Sequence, residues 1–247
     1  MWSSSLTVIN AQWMITMMMI RSIRFHIAAV IILASLSIHP KLYGQVTDFQ
    51  TRWEAEIEKK VSKNFDLQLS LEQIFRDNSR RYDRSMATLV GQIDLPYGFR
   101  LYPGFRWILA NISEMNLEHR FRVHVDLKYD IDINALTVDL RSRTQYGFDD
   151  EFYRIPFSEN RLVQRFRVKS EYSVFGTRFS VFAGLEPYLH LNDAEGPGFY
   201  KFRSLAGSEY DLNQASSIVL TYLYDREFNV IAPLHVSFFW VTYKFSF

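Results

Sequence analysis

Charged side chains recur at every second position through the middle of this 247-residue chain. Glu118, Arg120 and Arg122 form one run, and Arg141 and Arg143 a second. Glu159, Arg161, Arg165, Arg167, Lys169 and Glu171 form a third, and Glu186, Lys201, Arg203 and Glu209 continue the pattern. A spacing of two puts side chains on one face of a strand. Arg beside Glu on neighbouring strands can tie the strands together as cross-strand ion pairs. Around water, the same groups make a field that favours anionic solutes. The ion-pair reading is the expected one here, because a ring of ten to twelve strands leaves little room inside.

A second constellation is His235-x-Ser237. In acyl transfer a His removes the proton from a Ser hydroxyl, which then attacks the carbonyl. Both residues share one face of the final strand, but no orienting third group stands at a recognisable spacing. Asp225 and Glu227 are near only in sequence. Metal chemistry finds no support, since no His stands with carboxylates at ligand spacing. His119 and His124 lie in opposite strand phases, and Gly196-Pro197-Gly198 is turn chemistry rather than a phosphate loop. The expectation is no metal and no cofactor. The chain has no cysteine, which excludes a disulfide scaffold and a thiolate nucleophile. Its net charge of +1 carries no basic excess of the kind that points to nucleic acid.

The elements that must position these groups are strands. From Phe49 onward the dominant period is two. Phe65, Leu67, Leu69 and Leu71 alternate with Asp66, Gln68, Ser70 and Glu72. Between Met115 and Tyr129 the odd positions are apolar except His119, and the even positions are all polar. After a turn near Asp130–Asn134 the phase changes, and Leu136, Val138 and Leu140 share the apolar face. Arg76 to Arg81 reads as a loop, and a weaker strand runs from Tyr82 to Leu95. A long loop covers Gly147 to Ser158. No segment reads as a helix. Eleven strands emerge, most of about nine to fifteen residues, against five to six in soluble sheets and nine to eleven needed to cross a bilayer. Single-chain bacterial barrels have even strand counts, so one boundary is expected to be misplaced. Trp53, Tyr97, Trp107, Tyr129, Tyr146, Tyr188 and Tyr243 stand near strand ends, as interfacial girdles do.

The two chain ends carry targeting signals. Residues 1–44 hold Arg21, Arg24 and Lys41 but no acidic residue, and Ile27 to Ile38 is apolar apart from Ser35 and Ser37. That is the shape of a secretory signal peptide cut after Gly44, with the true start at Met17, Met18 or Met19. Twelve apolar residues span about 18 Å as a helix, too little for a membrane anchor. The mature domain is then a single unit, residues 45–247. At the other end Phe239, Val241, Tyr243, Phe245 and Phe247 share one face, and the chain stops on Phe247. This stripe resembles the closing strand of bacterial outer-membrane barrels, which the barrel-insertion machinery reads.

Trp53, Glu118-x-Arg120, Arg141-x-Arg143, Arg165-x-Arg167, Glu186 and Arg203-x-x-x-Gly207 together resemble a family of bacterial outer-membrane barrels, domain of unknown function 2490. The resemblance covers nearly all of residues 46–247. It implies a fold and a location, and brings no activity and no catalytic residues. The expectation is therefore all-β: an antiparallel up-and-down transmembrane β-barrel of about 10–12 strands in the outer membrane of a Gram-negative bacterium. Its specific activity is left open; it reads as a structural or narrow-pore, porin-like barrel with a charged lumen, and not an enzyme. Its expected partners are outer-membrane lipid and the insertion machinery, with no nucleic acid and no stated oligomeric state. Two alternatives stand beside this reading. One is an outer-membrane lipid hydrolase using His235 and Ser237. The other is a soluble periplasmic lipocalin-like ligand-binding barrel, which would alternate equally well with its apolar face inward.

Overall fold

The computed structural model describes residues 46–113, 116–147, 161–193, 196–229 and 233–247. Residues 1–44, where a signal peptide is expected, and Glu159 lie outside these residues. In chain order the strands are β1 (Val46–Ser62), β2 (Phe65–Arg76), β3 (Arg81–Asp94), β4 (Phe99–Ser113), β5 (Asn116–Ile133), β6 (Leu136–Gly147), β7 (Arg161–Ser173), β8 (Phe179–His190), β9 (Gly198–Asp211), β10 (Ser216–Glu227) and β11 (Leu234–Ser246). Even β2, with 12 residues, is long. At about 3.3 Å per residue and a tilt of about 40° it rises roughly 30 Å, the hydrocarbon thickness of a bilayer.

Each strand pairs antiparallel with the next, and β1 closes on β11 to complete a barrel. In an up-and-down chain every strand reverses the one before it. With eleven strands the first and last therefore run the same way, and their pairing is parallel, from Val46 opposite Leu234 to Glu58 opposite Ser246. The expectation of a misplaced boundary is overturned: the count of eleven stands, and one parallel pair absorbs the odd number. The C-terminus is part of this seam. The Phe247 N–H donates to the Glu58 carbonyl at 3.1 Å, and the Lys60 N–H donates to the Phe247 carbonyl at 3.2 Å. Inside the seam the Arg52 guanidinium lies 5.3 Å from the Phe238 ring centre and 4.6 Å from that of Trp240.

Alternation sorts the side chains. Leu71, Leu89, Phe121, Val168, Leu185, Leu220 and Phe239 are exposed, whereas Arg52, Glu72, Thr88, Arg122, Arg165, Glu186 and Asp225 are buried. In a closed sheet the buried face is the barrel interior. Trp53, Trp107, Tyr146 and Tyr243 point outward as expected. Tyr188 does not. It shares the phase of Glu186 on β8, and its ring is fully buried beside Arg165 and Lys201. The turn expected over Asp130–Asn134 is tighter than that: β5 continues to Ile133, and Asn134 and Ala135 make the reversal, with Asn134 at φ 57°. At one end of the barrel, the turn end, the chain reverses at residues 63–64, 95–98, 134–135, 174–178 and 212–215 and then terminates. The opposite end, the loop end, holds the reversal at residues 77–80 and the facing ends of β4 and β5, β6 and β7, β8 and β9, and β10 and β11.

Bulges break the alternation where it matters. Between Ile74 and Phe75 the β2–β3 register slips past Asp83, so that Asp83 and its neighbour Arg84 are both buried. Between Tyr188 and Leu189 the β8–β9 register slips past Tyr200, so Tyr200 and Lys201 are both buried. Glycine makes room at two interior positions. A Cβ on Gly104 would lie 2.3 Å from the His124 ring, and one on Gly207 would lie 2.3 Å from the Leu220 carbonyl and 2.5 Å from the Phe182 ring.

Gly207 therefore tolerates no side chain without backbone movement. Gly207→Ala is expected to cost at least the roughly 1–3 kcal/mol of ordinary overpacking. A lower urea midpoint for loss of the folded, compact form on unheated detergent gels would register it. An unchanged midpoint would show that the ladder at β9–β10 relaxes freely.

Candidate functional site

The interior of β5–β10 carries a continuous belt of opposite charges, built one strand at a time. Asp126 on β5 stands directly opposite Arg143 on β6, and the guanidinium holds both carboxylate oxygens, at 2.6 and 2.7 Å. Arg141, two residues before Arg143 on the same face, approaches Asp126 at 3.8 Å and donates to Glu186 on β8 at 2.5 Å. That contact reaches over β7. Arg165 on β7 takes the other side of Glu186, with both oxygens at 3.0 Å, and donates to Gln145 at 3.2 Å. Glu186 pairs in register with Arg203 on β9, whose guanidinium holds both oxygens of Asp225 on β10 at 2.6 Å. Lys201 Nζ lies 3.9 Å from the same carboxylate. The Tyr188 ring sits among the cations, 3.9 Å from Lys201 Nζ, 4.3 Å from the Arg165 guanidinium and 5.5 Å from that of Arg203. Planar guanidinium forks match carboxylates two bonds at a time, which fixes the geometry as well as the charge.

Shorter pairings flank the belt toward the turn end. Arg167 donates to Asp139 at 2.7 Å, Lys169 to Glu171 at 2.8 Å, and Ser180 to Glu171 at 3.0 Å. Lys244 on β11 reaches over β10 to Glu209 at 3.1 Å. Glu118 and Arg120 pair with each other at 3.2 Å near the loop end. On the wall opposite the belt, Arg106 lies 3.0 Å and Arg52 3.6 Å from Glu72, and Arg100 on β4 pairs with Asp130 on the adjoining β5.

Among the charged residues singled out from sequence, Arg120, Arg122, Arg165, Glu186, Lys201 and Arg203 are buried. Glu118, Arg141, Arg143, Arg161, Arg167, Lys169, Glu171 and Glu209 are half-buried on the same interior face, and Glu159 lies outside the described residues. The geometry joins most of them into pairs. Their partners Asp126, Asp139 and Asp225 were not counted in the lumen set from sequence, although each stands in the same alternating phase and could have been added by extending it. Asp83 and Tyr200 had no such signal, because a bulge sets their direction.

His235 and Ser237 share the outward phase of β11, where His235 is buried against its neighbours and Ser237 half-buried, but the structure does not join them to each other. The Tyr224 hydroxyl lies 2.6 Å from His235 Nδ1, and the Tyr222 hydroxyl donates to Ser237 Oγ at 3.0 Å. Each is thus tied to a tyrosine diagonally across on β10, since the register sets His235 opposite Arg226 and Ser237 opposite Tyr224. The outward stripe of Phe239, Tyr243, Phe245 and Phe247 is exposed, with Val241 half-buried between them. His119 stacks on Trp107 on the outer face and accepts its indole N–H at 3.1 Å, whereas His124 is interior. Among the described residues no group of three or more His, Asp or Glu is placed to hold a metal ion.

Residues 49–231 match the family described as "Protein of unknown function (DUF2490)". The curated proteins give no match. Among solved structures, a NanC porin in a rhombohedral crystal form aligns with a TM-score of 0.47 at 13% identity, over 72% of this chain and 86% of that one.

Removing Glu186 leaves two guanidinium groups facing each other in a dry interior. Glu186→Gln is expected to cost about 3–5 kcal/mol, as breaking a buried pair does. Glu118→Gln, at a partly exposed pair, is expected to cost at most about 1 kcal/mol. Paired urea titrations of the two variants test this ranking, and equal losses would remove the belt from its structural role.

Proposed function

We propose that this chain, which belongs to the DUF2490 family, is an outer-membrane β-barrel whose interior charges brace the wall, making it a structural or narrow-pore barrel rather than a wide solute channel or an enzyme. The observation that carries this reading is the pairing itself. Asp126, Asp139, Glu186 and Asp225 each lie within hydrogen-bond distance of an arginine on a neighbouring strand or one strand beyond. Charges neutralised in this way hold strands in register and leave little field for a passing ion.

The membrane setting draws on the outward face. A closed barrel satisfies its own backbone hydrogen bonds and can present apolar side chains to lipid. Here the exposed face carries Leu69, Leu71, Phe121, Val123, Val125, Phe166 and Val168. A soluble lipocalin-like barrel would place such residues inside. With the N-terminal segment read as a secretory signal cut after Gly44, the route is export, then insertion through the exposed C-terminal stripe by the barrel-insertion machinery. The short reversals at the turn end then face the periplasm.

The test is fractionation of expressing cells, followed by gels with and without heating, and conductance of the purified barrel in planar bilayers. The expected result is recovery in the outer membrane, a mobility shift on boiling, and none of the large steady openings of a water-filled porin. Recovery in the soluble periplasmic fraction would overturn the membrane reading, and large openings the bracing one. Phospholipid acyl release is expected to be absent from wild type. A rate lost in both His235→Ala and Ser237→Ala would instead establish the hydrolase.

A further inference from the structure

The interior changes from wet to dry along the barrel axis. Toward the turn end the paired charges remain open to solvent: the side chains of Lys244 and Glu209 are 39% and 20% exposed, and those of Lys169 and Glu171 25% and 26%. Toward the loop end the Lys201–Asp225 pair is sealed, with both side chains 0% exposed, and only nearer the rim does a pair open again, at Glu118, 36% exposed beside Arg120. Charge alone does not explain this, because both levels are ion-paired. Interior apolar side chains stand in both halves, but in the turn half Tyr102, Phe182 and Val219 keep 6–7% exposure and Val90 is only half-buried, whereas those of the loop half are sealed further. Ile74, Ile108, Val163, Tyr188, Val236 and Phe238 are each at most 2% exposed. They project inward from β2, β4, β7, β8 and β11, from all around the ring, and belong to three packed clusters. Apolar groups converging from every side of a narrow barrel exclude water, as a hydrophobic constriction does.

We propose that the interior is a one-ended cup: a polar chamber that admits small polar solutes from the turn end, closed toward the loop end by a dry septum of these side chains. The chamber walls carry Lys169, Glu171, Glu209 and Lys244, so both charge signs are offered to an entering solute. Passage from end to end requires the septum to part. This inference rests on the barrel reading above, and in that reading the mouth of the cup opens to the periplasm.

The absence of cysteine makes a direct test possible. Val90 is half-buried on the interior face in the turn half, opposite Gln68 and Gly104. Val163 and Val236 are interior and buried in the loop half. Val90→Cys, Val163→Cys and Val236→Cys place the same thiol at three interior sites, and the purified barrels are treated in detergent with a small cationic methanethiosulfonate. A thiol packed within the septum reacts only through transient opening, so Val90→Cys is expected to react at least about tenfold faster than the other two. Equal, fast reaction at all three overturns the septum. Equal, slow reaction overturns the chamber. A heated gel of each variant reports separately whether it folded, and Ile108→Cys replaces a valine variant that did not. Fractionation tests the membrane location independently, so failure of that reading leaves the labelling pattern still informative.

Discussion

A ring of hydrogen-bonded strands has no edge only if its last strand accepts its first. That closure governs everything else in this molecule. With eleven strands in an up-and-down chain, the closing pair must be parallel, and β1 and β11 meet that condition over their whole shared length. The final residue takes part, with both its backbone N–H and its carbonyl paired to β1. Parallel pairing is slightly less stable per residue than antiparallel. At this seam, side chains add to the backbone ladder: Arg52 lies over two aromatic rings of β11, and Thr242 donates to Glu54 at 2.9 Å.

Closure also makes one face of every strand an interior, and the interior must be filled by what alternation puts there. In this chain that is mostly arginine and carboxylate. Burying charges costs several kcal/mol per ion, so the belt is not a source of great stability over an apolar core. It does make register demanding. A strand that slipped by one residue would turn its arginines to the apolar side and leave their carboxylates alone. The forked contacts of Arg143, Arg165 and Arg203 each specify one alignment of neighbouring strands. Gly104 and Gly207 serve the same interior, giving space to the His124 and Phe182 rings.

Much of this was legible along the chain because period two is a local property. The phase on β5, with Glu118, Arg120 and Arg122 opposite Leu117, Phe121 and Val123, survives unchanged in the barrel. So do the phases of β2, β6 and β7. The misses share a cause. Tyr188 looked like a girdle residue because aromatics near strand ends usually are, but its phase on β8 sends it inward. Asp83 and Tyr200 face inward only because neighbouring strands slip register, and no single strand records that. His235 and Ser237 share a face as their spacing required, yet hydroxyls on the adjacent strand claim each of them.

The sequence by itself determined the strand class, which side chains share a face, and the apolar C-terminal stripe, because side-chain alternation in a strand follows from position alone. Only the tertiary structure decided which face is the interior, the parallel closure and the partners of each charge. Those depend on which strands become neighbours and how far each is staggered. A barrel sets that stagger globally, through closure, where no local pattern can record it.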